Sequence, residues 1–447
     1  MENSRIAIVG AGITGLSTAH QLKRNGADVD VFDRKGESGG SIKSYRKDGW
    51  QYEYGPNTLL LKEESVETFL HDVGVGHKIM SANSEASKRF IVKDGQLVEA
   101  PSSFGSFIKT PLFSTSAKAK LFLEPFKRRL KSDDPSVAEF VEKRLGKEIL
   151  DYAVNPFIAG IHAGNPDDLS LKHTFPFLAD LEESSGSLFI GGLIKALFGD
   201  KNPDKISRKL ISIEGGLQQI PITISKQLDQ VYYNHDITSI KKSDGGWFIH
   251  SQMGKYGPYR DVVCTVPLYR WSQKLLPVQK NELKTIHDVF YPPLSVIILG
   301  FKKEDIEHPL DGFGFLVPEK ENRKILGALF SSTLIQGRAP EGSHLLTVFI
   351  GGGRQPEIAA EDSGRLLEIV KEELAELIGL TAEPVFKDHI FWPKSIPQYQ
   401  QGYSSVLEVF ENIEKRNPGL HFAGNYRGGI SLPDCIKNGL ALAGKLS

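Results

Sequence analysis

Residues 5–15 read Arg5-Ile6-Ala7-Ile8-Val9-Gly10-Ala11-Gly12-Ile13-Thr14-Gly15. Ile6 to Val9 predict a short buried strand, and the apolar periodicity of Leu16 to Leu22 predicts a helix behind the turn. Gly10, Gly12 and Gly15 have the spacing G-x-G-x-x-G. The first glycine permits a tight turn, the second lets backbone approach a pyrophosphate, and the third lets helix and strand pack closely. The free N–H groups of the helix start then face the phosphates. A second strand, Asp28 to Phe32, ends at Asp33 about twenty residues past the central glycine, where a carboxylate accepts from a ribose hydroxyl. Strand, glycines, helix, second strand and terminal acid together predict a dinucleotide-binding α/β unit of Rossmann type.

The next stretch decides which dinucleotide. A nicotinamide-binding domain would continue with another helix and strand. This chain instead runs from Asp33 and Arg34 into Gly36-Glu37-Ser38-Gly39-Gly40-Ser41 and reaches Gly55-Pro56-Asn57 through a hairpin-like segment. The pair Gly39–Gly40 lets backbone lie flat against a cofactor. The extension resembles that of flavoproteins related to amine oxidases, in which it runs along FAD toward the flavin ring. Many of those proteins carry arginine after the glycine pair, where this chain has Ser41.

The chain has 447 residues and a formal net charge of −1. That length suggests two or three subdomains, and the charge balance argues against a nucleic-acid partner. Cys264 and Cys435, the two cysteines, are read as small buried hydrophobes. The nucleotide-binding strand starts close to Met1, so no signal or transit peptide is expected. No apolar run is long enough to span a bilayer.

Further along, Glu63 to Val73 predicts a helix, and Lys88 to Glu99 a hairpin turned at Asp94-Gly95. From Ser102 to about Leu197 the chain is helical in character. Ala117 to Lys131 combines Leu121, Phe122, Leu123 and Phe126 with Lys127, Arg128, Arg129 and Lys131. This suits either a core-packed helix with a basic end or an interfacial helix. Gly186 to Phe198 is apolar but short. Val231–Tyr233, Ile237–Ile240, Trp247–Ser251 and Val262–Thr265 read as one strand set. Pro292–Lys302, Ile325–Phe330 and Leu345–Ile350 are strands of a mixed sheet, with an amphipathic helix over Glu361 to Ile378. A final strand at His421 to Asn425 precedes a helix from Leu432 to Leu446.

Several ordered segments resemble the protoporphyrinogen oxidase family, most closely its plant mitochondrial branch, over nearly the whole chain. They are Gly55-Pro56-Asn57-Thr58, Asn155-Pro156-Phe157-Ile158-Ala159-Gly160 and Asn165-Pro166-Asp167-Asp168-Leu169-Ser170. Pro309-Leu310-Asp311-Gly312-Phe313-Gly314, Leu329-Phe330-Ser331-Ser332, Pro397-Gln398-Tyr399 and the segment Gly419 to Leu432 complete the set. The resemblance implies an FAD-binding domain in three pieces (1–80, 205–270, 415–447) and a mixed-sheet substrate domain (81–101, 271–414). It also implies a helical membrane-binding domain (102–204), which favours the interfacial reading of Ala117 to Lys131.

For FAD, held noncovalently, the resemblance points to Gly10, Gly12, Gly15, Asp33, Arg34, Gly39, Gly40, Gly55, Pro56 and Asn57. With these go Ile237 near the adenine end, Gly424 and Asn425 at the last strand, and Ile430 and Ser431 at the start of the last helix. For the substrate it points to Arg89 pairing with a propionate, Phe313 and Leu294 clamping pyrrole rings, and Gly160 as a close backbone approach. A neighbouring glycine of the family is Ala163 here. No side chain is assigned as a catalytic base, because pyrrole nitrogens can lose protons by tautomerisation, and His162, His173 and His235 are read as structural.

The implied reaction is the six-electron oxidation of protoporphyrinogen IX to protoporphyrin IX in haem biosynthesis. It would run as three hydride transfers to FAD, each followed by reoxidation with O2. The expected setting is cytoplasmic and peripheral on the inner membrane, compatible with a homodimer and with hand-over of product to ferrochelatase. Coproporphyrinogen III, with four propionates, is the nearest alternative substrate; Asn57, where that branch tends to carry aspartate, tilts against it. Amine oxidases often carry a lysine near the flavin, and Pro293 to Leu299 offers none.

Overall fold

Three remote parts of the chain build one parallel sheet. A computed structural model describes residues 5–188 and 205–447. The sheet runs Gln230–Tyr232, Val29–Phe32, Ile6–Val9, Asp261–Cys264, Leu420–Phe422, every neighbouring pair parallel. All residues of Ile6–Val9, Val29–Phe32 and Asp261–Cys264 are buried, as parallel strands covered on both faces require. Helix Ile13–Arg24 packs against helix Leu432–Leu446. A Cβ on Gly439 would lie 2.7 Å from the Thr14 carbonyl oxygen, so only a glycine admits this approach. The first helix is longer than its apolar periodicity predicts, because it begins immediately after Gly12.

The strand set read between residues 231 and 265 divides. Its outer members join the parallel sheet, while Ile237–Ser243, Gly246–Ser251 and Gly254–Tyr259 form a separate antiparallel meander. The last of these carries two glycines and a proline, which hide it from a propensity reading.

A seven-stranded sheet follows the order Phe386–Trp392, Leu294–Lys302, Ser343–Gly351, Ile325–Leu329, Gly312–Leu316, Lys88–Lys93, Gln96–Glu99. All pairs are antiparallel except Lys88–Lys93 with Gly312–Leu316. The hairpin turns at Asp94 and Gly95, both at positive φ (50° and 75°), as a two-residue turn of matching twist demands. Helix Ser363–Ile378 lays Leu366, Ile369, Val370, Leu374 and Leu377 on this sheet. It starts two residues later than its periodicity suggests, because Asp362 caps it by accepting the amides of Gly364 and Arg365.

In the chain after strand Gln96–Glu99, the longer helices are Phe104–Lys109, Thr115–Phe122, Val137–Arg144, Asn155–His162 and Pro176–Ser185, and several of them pack with Ile91 and Val98 of the hairpin. No continuous helix covers Ala117 to Lys131. It stops at Phe122, a single turn spans Glu124–Phe126 around Pro125, and the basic residues follow in irregular chain. Beyond residue 188, the apolar run Gly186 to Phe198 lies outside the described residues. Among those described, no helix is long and apolar enough to cross a membrane.

An ion pair between Glu124 and Arg144, both fully out of solvent, holds this region together. The Glu124 carboxylate also accepts from the Ser187 hydroxyl (2.6 Å) and the Leu188 amide (3.0 Å). Arg144 donates to the carbonyls of Lys127 (2.8 Å) and Gly186 (2.5 Å). Removing Glu124 would leave the buried Arg144 with only the more distant Glu182, at 3.9 Å, as a carboxylate partner among the described residues. Glu124→Ala should therefore lower stability by about 3–5 kcal/mol, read as a fall in urea midpoint. An unchanged midpoint would show that the pair contributes nothing to cohesion.

Candidate functional site

The glycine turn sits at the C-terminal ends of Ile6–Val9 and Asp261–Cys264, where neighbouring strands lead away in opposite directions. Gly10 has φ +116°, and a Cβ there would meet Thr265 Oγ1 at 2.4 Å. On Gly15 it would strike the Gly10 carbonyl oxygen at 2.1 Å. Gly12 differs: its φ and ψ of −74° and 171° suit any residue, and a Cβ there would meet nothing within 4 Å. Space is thus kept open at the one glycine whose expected role is close approach of a ligand. No side chain caps the helix that starts here, and its first turn holds no acid, which suits an anion at the N-terminus.

Gly39 donates its amide to the Ala11 carbonyl at 2.8 Å, which brings Gly40 against Gly12. Asp33 accepts the Ala11 amide (2.7 Å) on one oxygen and the Lys35 amide (2.8 Å) on the other. One lone pair on each oxygen is engaged, and the rest are available to a hydroxyl donor. Arg34 is exposed beside it. The His235 amide donates to the Asp33 carbonyl at 2.8 Å, and Ile237 is buried in the cluster containing Val9 and Phe32. Gly55 passes Ser41 so closely that a Cβ would sit 2.0 Å from the Ser41 carbonyl oxygen. Pro56 follows, and the Asn57 amide group turns back to the Gly55 carbonyl at 3.3 Å. A flavin dinucleotide therefore fits this surface by chemistry: open glycine backbone, an uncapped helix start and a carboxylate with spare acceptors.

At the last helix, Ser431 and Asp434 form a capping box. Ile430 lies half-buried between that cap and the buried cluster around Tyr426. The turn from Gly424 to Gly429 is laced by three buried tyrosines; Tyr399 and Tyr426 fall in the motifs read from sequence, but none of the three was given a role there. Tyr399 donates to the Asn425 carbonyl (2.7 Å) and accepts the Gly429 amide (3.1 Å). Tyr403 donates to the Tyr426 carbonyl (2.6 Å), and Tyr426 to the Cys264 carbonyl (3.1 Å). Cys264 and Cys435 are buried, and burial pushes both thiols up to about 12.

The residues expected to hold substrate gather around helix Asn155–His162. Arg89 is exposed on strand Lys88–Lys93, its guanidinium 5.2 Å from the centre of the Phe313 ring. It has no carboxylate partner among the described residues. A register shift between Gly312 and Phe315 separates neighbouring side chains: Phe315 is buried, while Phe313 and Leu316 remain half-buried. Leu316 in turn packs on Gly160, where a Cβ would collide with it at 2.4 Å. Leu294 lies in a buried cluster with Ala159 and Ala163, and does not share a cluster with Phe313. The half-exposed Phe157 and Ile161 flank Gly160 at helical spacing; that spacing was readable from sequence but not used.

Two adjacent residues tie both ends together. Gln398 donates to the His162 carbonyl at 2.8 Å, while Tyr399 bonds to Asn425. His162 itself is held neutral, its imidazole driven down to about 4 by burial.

Residues 13–446 match the family described as flavin containing amine oxidoreductase. The chain is 35% identical to protoporphyrinogen oxidase 2, chloroplastic/mitochondrial, of Arabidopsis thaliana, over 99% of this chain and 94% of that one. It is 36% identical to the mitochondrial protoporphyrinogen oxidase of Nicotiana tabacum, over 97% and 93% respectively. A solved structure from Exiguobacterium sp. 255-15 shares the fold, with a TM-score of 0.83 at 24% identity, covering 100% of this chain and 99% of its own. With two plant relatives matched over nearly their full length, the chain belongs to the flavin containing amine oxidoreductases, as an FAD-dependent enzyme of the protoporphyrinogen oxidase branch.

Proposed function

We propose that this enzyme oxidises protoporphyrinogen IX to protoporphyrin IX, with O2 as final acceptor. The observation that carries the reading is the Gln398–Tyr399 link, which couples the Gly160 helix to the turn containing Asn425; the exposed arginine stacked on Phe313 supports it. FAD, when bound, would supply the hydride-accepting and O2-reducing chemistry. The chain's own residues bind and orient. Gly10, Gly12, Gly15, Gly39 and Gly40 give the pyrophosphate close access to backbone, and Asp33 takes a ribose hydroxyl. Ser431 and Ile430 set the start of the last helix against the ring. Arg89, unpaired by any acid of the described chain, holds a propionate. Phe313, Leu316 and Leu294 press on pyrrole rings from apolar walls, and Gly160 lets the macrocycle come close.

Membrane contact is part of the same proposal. Phe104, Ile108, Phe122, Leu123 and Phe126 are all exposed, and the rings of Phe104 and Phe122 meet at 6.2 Å. Lys109, Lys120 and Arg128 lie exposed on the same segments. Apolar side chains among cations suit an anionic bilayer surface, from which a greasy substrate can be drawn.

Four outcomes are expected. Anaerobic mixing with protoporphyrinogen IX should bleach the flavin faster than coproporphyrinogen III does. The reverse order would move the enzyme to the four-propionate substrate, and no bleaching by either would end the porphyrinogen reading. In the same assay Arg89→Ala should raise KM at least about tenfold, the worth of a charge-assisted pair, with an unchanged flavin spectrum. Gly12→Ala should fold normally yet lose FAD affinity by about tenfold or more, whereas Gly10→Ala should destabilise the protein itself; equal behaviour would refute the distinct roles. Finally, the enzyme should co-sediment with phosphatidylglycerol vesicles, and a Phe104→Ser, Phe126→Ser double variant should not. Vesicle binding that ignores these substitutions would place the contact elsewhere.

A further inference from the structure

Residues Gly351-Gly352-Gly353-Arg354 thread between the walls of the proposed substrate pocket. The Gly352 amide donates to the carbonyl of Pro293, next to Leu294, at 2.8 Å. The Gly353 amide donates to the Ala163 carbonyl, just past helix Asn155–His162, at 2.7 Å. Gly351 and Gly352 have φ of +103° and +70°, and Cβ atoms there would fall 2.4 Å from Ala359 Cβ and 2.8 Å from the Ala163 carbonyl oxygen. The glycines thus let the chain slip in close enough to deliver the arginine.

The Arg354 side chain then spans two segments at once. Its Nη1 donates to the Val317 carbonyl at 2.7 Å, immediately past strand Gly312–Leu316. Its Nη2 donates to the Asn155 carbonyl (2.8 Å) and to Asn155 Oδ1 (2.5 Å), at the start of the helix carrying Gly160. No carboxylate lies within ion-pairing distance of it among the described residues, and its Nε is buried without a partner. Asn155 stands between it and Glu319, donating to the Glu319 carboxylate (3.0 Å) and accepting the Glu319 amide (2.9 Å). Burial lowers the guanidinium to about 10, so it remains charged at neutral pH.

A desolvated cation facing neutral carbonyls is an expensive way to hold a fold. What it supplies is geometric: a rigid planar fork that fixes two separate carbonyls relative to each other, which a flexible ammonium cannot do. The two segments it joins are those that meet where the Leu316 side chain packs on the Gly160 backbone. We infer that Arg354 is a positioning residue that sets the gap between the Gly160 helix and the Phe313 strand, and through that gap the discrimination between porphyrinogens. This rests on the pocket assignment proposed above.

The test uses purified holoenzyme and both porphyrinogens. If the wild type is bleached by neither, the pocket assignment fails and not this inference alone. With an active wild type, Arg354→Met should retain FAD and its spectrum while kcat/KM for protoporphyrinogen IX falls about tenfold to a hundredfold. The preference over coproporphyrinogen III should narrow by about fivefold, since a loosened gap admits the bulkier substrate. Arg354→Lys, which keeps the charge but reaches one wall at a time, should lie between. A wild-type preference ratio in either variant overturns the inference, whether activity is kept or falls equally for both substrates. Failure of both variants to yield folded holoenzyme would assign Arg354 to the fold alone and overturn it equally.

Discussion

Everything in this molecule hangs on the pairing of Ile6–Val9 with two strands at once: Val29–Phe32, close in sequence, and Asp261–Cys264, some half a chain away. That pairing places Thr265 beside the glycine turn, where its hydroxyl donates to the carbonyls of Val9 (3.0 Å) and Gly10 (3.1 Å). The turn proposed to receive the dinucleotide is therefore shaped from both sides of the switch point, which is where open α/β sheets bind ligands. Closing so distant a pair costs loop entropy, and fully buried strands with a glycine-mediated helix crossing at Thr14 and Gly439 offset it.

A second constraint joins the two sheets. Glu53, fully buried, receives Arg338 at 2.9 Å, the Ser44 hydroxyl at 2.5 Å and the Leu217 amide at 3.1 Å. Arg338 also donates to Ser212 at 2.8 Å. One carboxylate thus gathers the hairpin that follows the glycine pair, the loop after strand Lys205–Ile213, and the chain before strand Ser343–Gly351. A carboxylate and guanidinium buried so deeply are costly unless paired and hydrogen-bonded as here, so the relative placement of these segments is specified and not merely allowed. Together with Gln398 and Tyr399, this keeps the surfaces proposed for flavin and substrate in one frame, as hydride transfer between them would require.

The parts of the site legible in sequence were those with local causes. Gly10, Gly12 and Gly15 announced themselves because a turn, a ligand approach and a helix contact each exclude a side chain within a few residues. The hairpin at Asp94-Gly95 and the capped last helix were legible for the same reason. Strand Gly254–Tyr259, edge strand Phe386–Trp392 and helix Ser404–Arg416 were not. The strands' composition carries no clean period, and they form because a neighbouring strand supplies hydrogen bonds.

By itself, then, the sequence determined the dinucleotide unit, the flavin-type extension after Asp33, and the family to which the ordered motifs belong. Tertiary structure decided which of those motifs meet. Arg89 over Phe313, Leu316 against Gly160, Leu294 clustered with Ala159 and Ala163, and Arg354 forked between Asn155 and Val317 all join residues far apart in the chain. Local propensity acts over a turn or a strand length; which surfaces face each other is settled only when the buried strands, ion pairs and glycine contacts are satisfied together.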